Sequence, residues 1–534
     1  MKKTVRTAAL VFLTCLAWSM PQPPRIFYSD LDSGPNTGGQ QDQGAFVSIY
    51  GKGFGSARGN SSVTVGGKPV AGYPIWTDSR ISFQLGAAAE TGKIVVTVGG
   101  QPSNGVPFVV RSGKIHFVAK SGSDHNSGAY DSPWRSVTKA VRSIGAGDIV
   151  YLMDGFEQTS IDDYDACLSI SRSGSAGRPK ALVAYPGAHV TIGVESGTPY
   201  GMRTPAIDGG PFSYWTISGL TLRGGNESLS LVSVSNWRVV ANDLSCPNGN
   251  GVSACMEVER STNIKVLGNT IHHAGTPGAS KHYHSLYFTT DSNHIEAGWN
   301  TIRDNHSCRG IQVHSSPNGS NTGFNQYDLI IHDNVIHGQV CDGINFATID
   351  PSKGAVQAYN NVIYHVGTGP DPKGDVSNYA CISSPGITNR GPKGSGTAEW
   401  FNNTLYDCGS RGGDSAGAFN VESGSPLVRL QNNIVYSTRS ENYFEPGTDF
   451  SRITASNNLW FGNGSMPSRS AASLNLDPKF VDLRAFDFHL QPGSPAIRAG
   501  ICAATMPDLD GVPRPEGGRC DLGAFQTRGA TRGP

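Results

Sequence analysis

Charge is scarce in this chain. Of its 534 residues only 16% are Asp, Glu, Lys or Arg, and the 42 basic and 42 acidic side chains cancel. Such a balance gives no global electrostatic pull toward nucleic acid, so no nucleic-acid partner is expected. No CxxC pair occurs, which leaves a structural zinc site without support. Sustained helical periodicity is missing, and that argues against helix-pair repeats. Long apolar runs are missing too. The one candidate, Ala8 to Trp18, follows Lys2, Lys3 and Arg6 and is short for a bilayer span. It reads as a secretory signal peptide over 1–19, with cleavage near Ala17 to Met20. Cys15 follows Thr14 and makes a poor lipid-attachment box. Removing the leader takes away three basic and no acidic residues, leaving 39 Lys and Arg against 42 Asp and Glu.

What is abundant points to an exported β protein. There are 68 glycines, with many Asn, Ser and Thr. Ten cysteines include Cys15; the other nine offer local pairs, Cys246 with Cys255, Cys308 with Cys341, Cys381 with Cys408 and Cys502 with Cys520, leaving Cys167 over. Residues 24–110 carry short alternating runs ended by Gly clusters, such as "AFVSIYGKGFG", "SSVTVGG", "RISFQLG" and "KIVVTVGG". This pattern predicts a small antiparallel sandwich. The order of the runs resembles an IPT/TIG domain, an immunoglobulin-like module, over roughly 85 residues; "VSIYGKGFG" and "GKIVVTVGGQPSNGVPF" carry the resemblance. It implies a spacer or binding role and no catalysis.

Beyond Val110 the pattern changes. In "SPWRSVTKAVRSI", Trp134, Val137, Ala140, Val141 and Ile144 share a helical face, which predicts a short helix over 133–144 with Pro133 in its first turn and Ser132 as cap. Its apolar face can close the end of a β array. That array shows in a repeat: "GNTI", "WNTI", "DNVI", "NNVI", "NNTL", "NNIV" and "NNLW" put an Asn at 269, 300, 334, 361, 403, 433 and 458, with Asn242 in the same series. The spacings run from 25 to 42 residues. Each unit reads as strand, turn, strand, Asn turn, strand, the length one coil of a right-handed parallel β-helix needs. Asn tolerates left-handed backbone and can bond to the Asn above it, so these residues are read as a structural ladder. The expected fold is all-β: a separate small immunoglobulin-like sandwich, then a right-handed parallel β-helix over 114–526 with an N-terminal capping helix and a C-terminal cap. The chain is expected to be a monomer without a membrane span.

The stretches "GRPKALVAYPGAHVTI" and "YWTISGLTLRGG", the Asn coils and the tail "LDPKFVDLRAFDFHLQPGSPAIRAG" resemble β-helix proteins of the pectate-lyase-like superfamily, over nearly all of 114–526. The resemblance implies the fold and leaves the chemistry open, because this fold hosts lyases, hydrolases, epimerases and adhesins. The polygalacturonase aspartate set, the "WIDH" and "RxPxxR" motifs of pectate lyases and the "DPHD" motif of mannuronan epimerases are absent. No family's catalytic residues carry over.

Stacking the coils locates a candidate site. The segments "CMEVE", "SLYFT", "GIQVH", "GINFA" and "CISSP" put Met256, Leu286, Ile311, Ile344 and Ile382 in one inward row, with Val258, Phe288, Val313 and Phe346 in another. Between them Glu257, Tyr287, Gln312, Asn345 and Ser383 form one solvent-facing column, and Glu259, Thr289, His314 and Ala347 the next. His284, Arg309 and Asp342 stack at the entry corner, reached through the loop "KHYH". A polar groove of this make-up suits a polyanionic or hydroxyl-rich glycan, and it suits β-elimination of a uronate. Arg309, with amide donors from Gln312 or Asn345, would neutralise the carboxylate; His284 or His314 would be the base, Lys281 the reserve base, and Tyr287 the acid. His282, Asp342 and Glu257 complete the substrate-binding set. The blander readings make Arg309 a surface partner of Asp342 and His272, His273, His332, His337 and His365 solvated corner residues. A His282, His284, His314 metal site lacks a fixed ligand spacing, and the cofactor stays open, calcium included. Two alternatives to a lyase stand: a glycoside hydrolase using Glu257, Glu259 and Asp342, and a non-catalytic surface or adhesion protein.

Overall fold

The computed structural model describes residues 22–196, 200–205, 211–315, 326–370, 379–385, 396–410, 416–438, 442–502, 506–515 and 517–527. The expected leader, Cys15 included, lies outside them. Alternation builds the N-terminal sandwich. Arg25–Ser29, Phe46–Lys52, Arg80–Gln84 and Gly72–Trp76 form one antiparallel sheet; the second holds Ser62–Val65, Gly92–Val98 and Val106–Val110, with Ser33–Gly34 joining in parallel at its edge. Val47, Ile49, Val63, Ile81, Phe83, Ile94 and Phe108 fill the space between them.

From Ile115 onward every main sheet is parallel. Three stacks run along the array, of thirteen, eleven and ten strands among the described residues, and successive strands visit them in turn. This is the right-handed parallel β-helix. Its interior is one continuous apolar cluster from Val118 to Trp460. The capping helix closes the N-terminal end, with Val137, Ala140, Val141 and Ile144 in that cluster. It is shorter than the periodicity predicted. It spans Val137–Ser143, and Ser136, not Ser132, caps it by accepting from Lys139 N at 3.2 Å. Asp124 is the reason: it takes the backbone N–H of Arg135 and Ser136 and the Ser136 hydroxyl. Trp134 meanwhile pairs as strand with Phe117 and Ala119, so 133–135 cannot coil.

The Asn ladder is present and buried. The Nδ2 groups of Asn242, Asn269, Asn300, Asn334, Asn361, Asn403 and Asn433 each donate to Oδ1 of the next Asn at 2.9–3.1 Å, ending on Asn458. The same Oδ1 atoms also accept the preceding Asn's backbone N–H. The left-handed conformation, however, belongs to the residue before each ladder Asn: Ala241, Gly268, Trp299, Asp333, Asn360, Asn402, Asn432 and Asn457. The ladder residues themselves are not among the left-handed positions and are buried.

That preceding column is a docking surface for other parts of the chain. Trp299 stacks on Phe27 at 5.9 Å and packs against Tyr28 at 5.3 Å. A Cβ at Gly268 would sit 1.7 Å from the Tyr28 hydroxyl. Further along, the Nδ2 groups of Asn360, Asn402, Asn432 and Asn457 donate to the backbone of Pro507, Asp521, Ile501 and Ala499, so the C-terminal cap runs back over the same corner. "NN" therefore occurs where the tail packs.

The sandwich is not as separate as its composition suggested. Its core continues into Ile115, Phe117, Ile149, Tyr151, Ala181 and Val183, which stand in register on the outside of the thirteen-stranded sheet. The Tyr151 hydroxyl donates to Phe46 O at 2.7 Å, and Arg238 donates to the carbonyls of Ser29 and Asp30. Strands such as "IVYL" are apolar on both faces, so the outer face needs a cover as much as the inner one. A cleft of about 750 Å³ opens beside this junction. Its charged residues are already matched: Lys265 with Glu296 at 2.6 Å and His294 with Asp328 at 2.5 Å.

All four expected disulfides are formed, with Cα separations of 5.5, 4.7, 5.4 and 5.8 Å for Cys246–Cys255, Cys308–Cys341, Cys381–Cys408 and Cys502–Cys520. Cys167 is buried and in none of them. No helix among the described residues is long and apolar enough to cross a membrane.

Candidate active site

The ten-stranded sheet carries the predicted residues. Six of its strands matter here: β1 (Glu227–Val232), β2 (Ser253–Glu259), β3 (Tyr283–Thr289), β4 (Arg309–His314), β5 (Ile344–Phe346) and β6 (Tyr379–Ser384). Their register puts Glu257 beside Tyr287, Tyr287 beside Gln312, Gln312 beside Asn345 and Asn345 beside Ser383. The neighbouring columns hold His284 with Arg309, and Glu259, Thr289 and His314. Leu286 and Phe288 point inward with Ile311 and Val313.

A corner in β3 completes the group. Ser285 turns inward to bond Ser307, while His284 and Tyr287 both face outward. Their rings meet edge to face at 5.0 Å. The Tyr287 hydroxyl lies 3.1 Å from Nδ1 of His314. Arg309 donates from Nε to Asp342 at 2.9 Å and from Nη1 to the carbonyl of Lys281 at 3.4 Å. Asp342 also accepts from Ala380 N and Asn345 Nδ2. His282 is exposed and Lys281 half-buried on the loop above.

Several expectations need correction. The column does not lie open to solvent: Tyr287 is 5% exposed, Gln312 4%, and Asn345 and Ser383 0%. Strands ~4.8 Å apart let large side chains cover one another, and the corner folds the His284 column onto the Tyr287 column. Arg309–Asp342 is not a surface pair, since Asp342 is fully buried. Asn345 spends its amide N–H₂ on Asp342 and Ser383, so it presents an acceptor rather than a donor for a carboxylate. His332 is no solvated corner residue. It is buried between Asp333 (2.7 Å) and Glu296 (3.5 Å). Burial pulls its pKa down, but those hydrogen bonds outweigh it and lift it to about 9.

Burial sets the electrostatics of the site. It pushes the His284 pKa well below 6.5, with Arg309, His314 and His282 adding to the effect, so the imidazole is neutral at pH 7. Its Nδ1 has no partner, and neither do Oε1 of Gln312 and Oδ1 of Asn345. Burial raises the Tyr287 phenol to about 12 and keeps it a proton donor. His282 is lowered by burial and by Lys281 and Arg309. Burial, then Glu227 and Glu259, raises Glu257 to about 9.

Glu227 escaped the sequence reading. It is buried on β1, and burial lifts its pKa to about 7. Stacking "ESLSLV" one coil ahead of "CMEVE" would have found it, since Leu229 and Ser230 pair with Met256 and Glu257. The outer column also continues past Ser383 to Asn420. Among the described residues no three His, Cys, Asp or Glu side chains are grouped to hold a metal ion.

Comparison with known proteins agrees with this architecture. Residues 32–110 match the IPT/TIG domain family, and 120–365 match a family described as a protein of unknown function, DUF1565. The uncharacterized protein YwoF of Bacillus subtilis (strain 168) is 30% identical over 112 residues, which is 21% of this chain and 22% of that relative's length. Among solved structures, pectate lyase Pel9A superposes with a TM-score of 0.53 at 16% identity, covering 78% of this chain and 96% of its own. XylC, in complex with xylose, gives 0.45 at 10% identity, covering 77% and 98%. At 16% identity the likeness to the pectate lyase is one of fold. The chain carries an N-terminal domain matching the IPT/TIG family, followed by a right-handed parallel β-helix whose fold it shares with pectate lyase Pel9A.

Proposed function

We propose that this protein acts outside the cytoplasm as a polysaccharide lyase, cleaving a uronate-containing glycan by β-elimination. The observation that carries the reading is the His284–Tyr287–Arg309 group: a neutral imidazole with an unpartnered Nδ1, against a phenol kept protonated, beside a guanidinium. Four disulfides suit an oxidising compartment, and the fold is shared with a pectate lyase.

The reaction needs a base, an acid and relief of charge on the carboxylate. His284 Nδ1 removes the C5 proton. The electron pair forms the C4–C5 double bond as the C4–O4 bond breaks. The Tyr287 O–H gives its proton to O4, and the proton on His284 returns to the phenolate through solvent. Arg309 offers its outer edge to the uronate carboxylate while Asp342 fixes its orientation. His314 orients the phenol. Lys281 adds positive charge at the rim, and His282, its pKa lowered, offers a neutral imidazole to sugar hydroxyls there. The hydrolase reading is weaker, because Asp342 is fully buried and committed to Arg309, Asn345 and Ala380.

The test is a panel of uronate and neutral glycans, with and without chelator. Ultraviolet absorbance of unsaturated uronide is expected, and Tyr287→Phe should lower turnover about 10²-fold or more. The acid limb of kcat/KM should fall below pH 6.5, since the folded His284 stays neutral there. Reducing ends without unsaturation would replace the lyase by a hydrolase; binding without either product would leave an adhesion protein.

A further inference from the structure

We propose that the cleft between the sandwich and the β-helix is a second binding site, which takes an uncharged polysaccharide chain laid along the helix axis. It lies on the thirteen-stranded sheet, whereas the His284–Tyr287–Arg309 group lies on the ten-stranded one. It goes beyond the lyase reading and does not depend on it.

The cleft has a volume of about 750 Å³ and two different walls. The sandwich supplies Pro107 and Val109. Val109 is 46% exposed, an apolar side chain that its own domain leaves uncovered. The β-helix supplies one residue per coil just ahead of successive strands: Tyr214, Asn236, Asn263, His294 and Asp328, in the register of the strands that follow them. Their φ values lie between +56° and +63°. Asn, Asp and His accept this left-handed backbone more readily than other side chains, and Tyr does not. A tyrosine held at +63°, in a column otherwise filled by the favoured types, points to a use for the ring beyond the turn. Among the described residues the Tyr214 hydroxyl has no hydrogen-bond partner, and neither has the amide of exposed Asn263. Asn236 spends only Nδ2, on Ser235, and keeps Oδ1 free.

Charge decides the class of ligand. Lys265 is paired with Glu296 at 2.6 Å and His294 with Asp328 at 2.5 Å. Arg238 faces Asp32 at 3.9 Å and donates to the carbonyls of Ser29 and Asp30. Every charged side chain lining the cleft thus has a counter-charge, and a charged chain gains no net attraction there. What is left uncommitted is neutral: a phenol, two amides and an apolar wall. These suit sugars, whose hydroxyls bond amides and whose C–H faces pack on aromatic and aliphatic side chains. The spacing suits a chain of them. Coils repeat every ~4.8 Å, close to the advance of one unit along an extended polysaccharide, so Tyr214, Asn236 and Asn263 meet successive units.

The test runs full-length protein in native gels containing xylan, mannan or mixed-linkage β-glucan, beside gels containing polygalacturonate or alginate. Retardation is expected in at least one neutral polymer, and added salt should change it little. Val109→Glu puts an unpaired charge into the cleft from an exposed position and should weaken the apparent affinity at least about tenfold. Asn263→Ala and Tyr214→Ala should weaken it too, while Tyr287→Phe keeps the parent's retardation. Unaltered migration in all three neutral polymers overturns the proposal. So does retardation that survives Val109→Glu, or retardation confined to the polyuronates. Should Val109→Glu melt below the parent, Asn263→Ala decides, and parent-like retardation in it overturns the proposal.

Discussion

At the residue scale, the same burial that tunes the site makes it sensitive to pH in two opposed ways. Glu257 has an ordinary pKa near 4.5 and about 9 in the fold. Between these values the folded chain holds more protons than the unfolded one, so this group's contribution to stability falls as pH rises. Glu257→Gln removes that dependence. Its melting temperature should match the parent near pH 4 and exceed it increasingly up to pH 9; a constant difference across that range would show that Glu257 ionises normally. His284 has the opposite sign. Its lowered pKa means the unfolded chain binds more protons below 6.5, so its contribution is lost as pH falls through that region. Arg309 departs from the sequence reading in a way that changes its test. Arg309→Lys loses the Nε bond to fully buried Asp342, and stranding a buried carboxylate typically costs about 3–5 kcal/mol. Melting temperature and turnover should therefore fall together in Arg309→Lys and separate in Tyr287→Phe. Parent-like melting of the Arg309 variant would mean that Ala380 N and Asn345 satisfy Asp342 alone.

At the element scale, stability is carried by the turn ladder as well as by the apolar interior. Asn361 sits mid-ladder, accepting Asn334 N and Nδ2 on Oδ1 and donating to Asn403 and to Ile331 O. Asn361→Ala leaves several buried groups unpaired, each worth about 1–3 kcal/mol. Asn458→Ala, at the end where the backbone N–H already goes to Ser473, should cost less. Denaturant unfolding of both checks this; equal effects within about 0.5 kcal/mol would mean that the ladder does not act cooperatively. The ladder was legible in the sequence because an Asn must recur once per coil. Its left-handed neighbour was misread because both positions of "NN" are Asn, and only the coils reading Ala241, Gly268, Trp299 and Asp333 reveal which position makes the turn. The Cys308–Cys341 bridge was legible for the same reason: both cysteines fall at nearly equal distances after their ladder Asn, and the structure gives a Cα separation of 4.7 Å.

At the scale of the whole molecule, the sandwich and the C-terminal cap share the labour of covering one corner of the β-helix. The sandwich serves the early coils through Phe27, Tyr28 and the cluster around Tyr151, and the cap serves the later ones through the paired Asn. Lys52 of the sandwich meets Asp510 of the cap at 2.5 Å, so the two coverings touch. Gly268→Val should disturb this docking. Its φ of +64° strains any side chain, and its Cβ would overlap the Tyr28 hydroxyl. The expected result is faster proteolysis near 111–114 and a loss of about 1–3 kcal/mol, with the Tyr287 site unaffected in its own chemistry. Unchanged proteolysis would mean that the sandwich is held by the Tyr151 cluster without the Tyr28 contact.

The sequence by itself determined the coil. An inward apolar row recurs with period two and an Asn once per turn, and local spacing is enough to fix strand register and to put Glu257, Tyr287, Gln312 and Asn345 in one column. Only the tertiary structure decided what those side chains experience. Burial, the bend at Ser285 that turns His284 onto Tyr287, the commitment of Arg309 to Asp342 and the approach of Glu227 depend on neighbouring coils at close range. Periodicity states which way a side chain points; its pKa and free hydrogen-bonding groups depend on what lies across from it, often dozens of residues away.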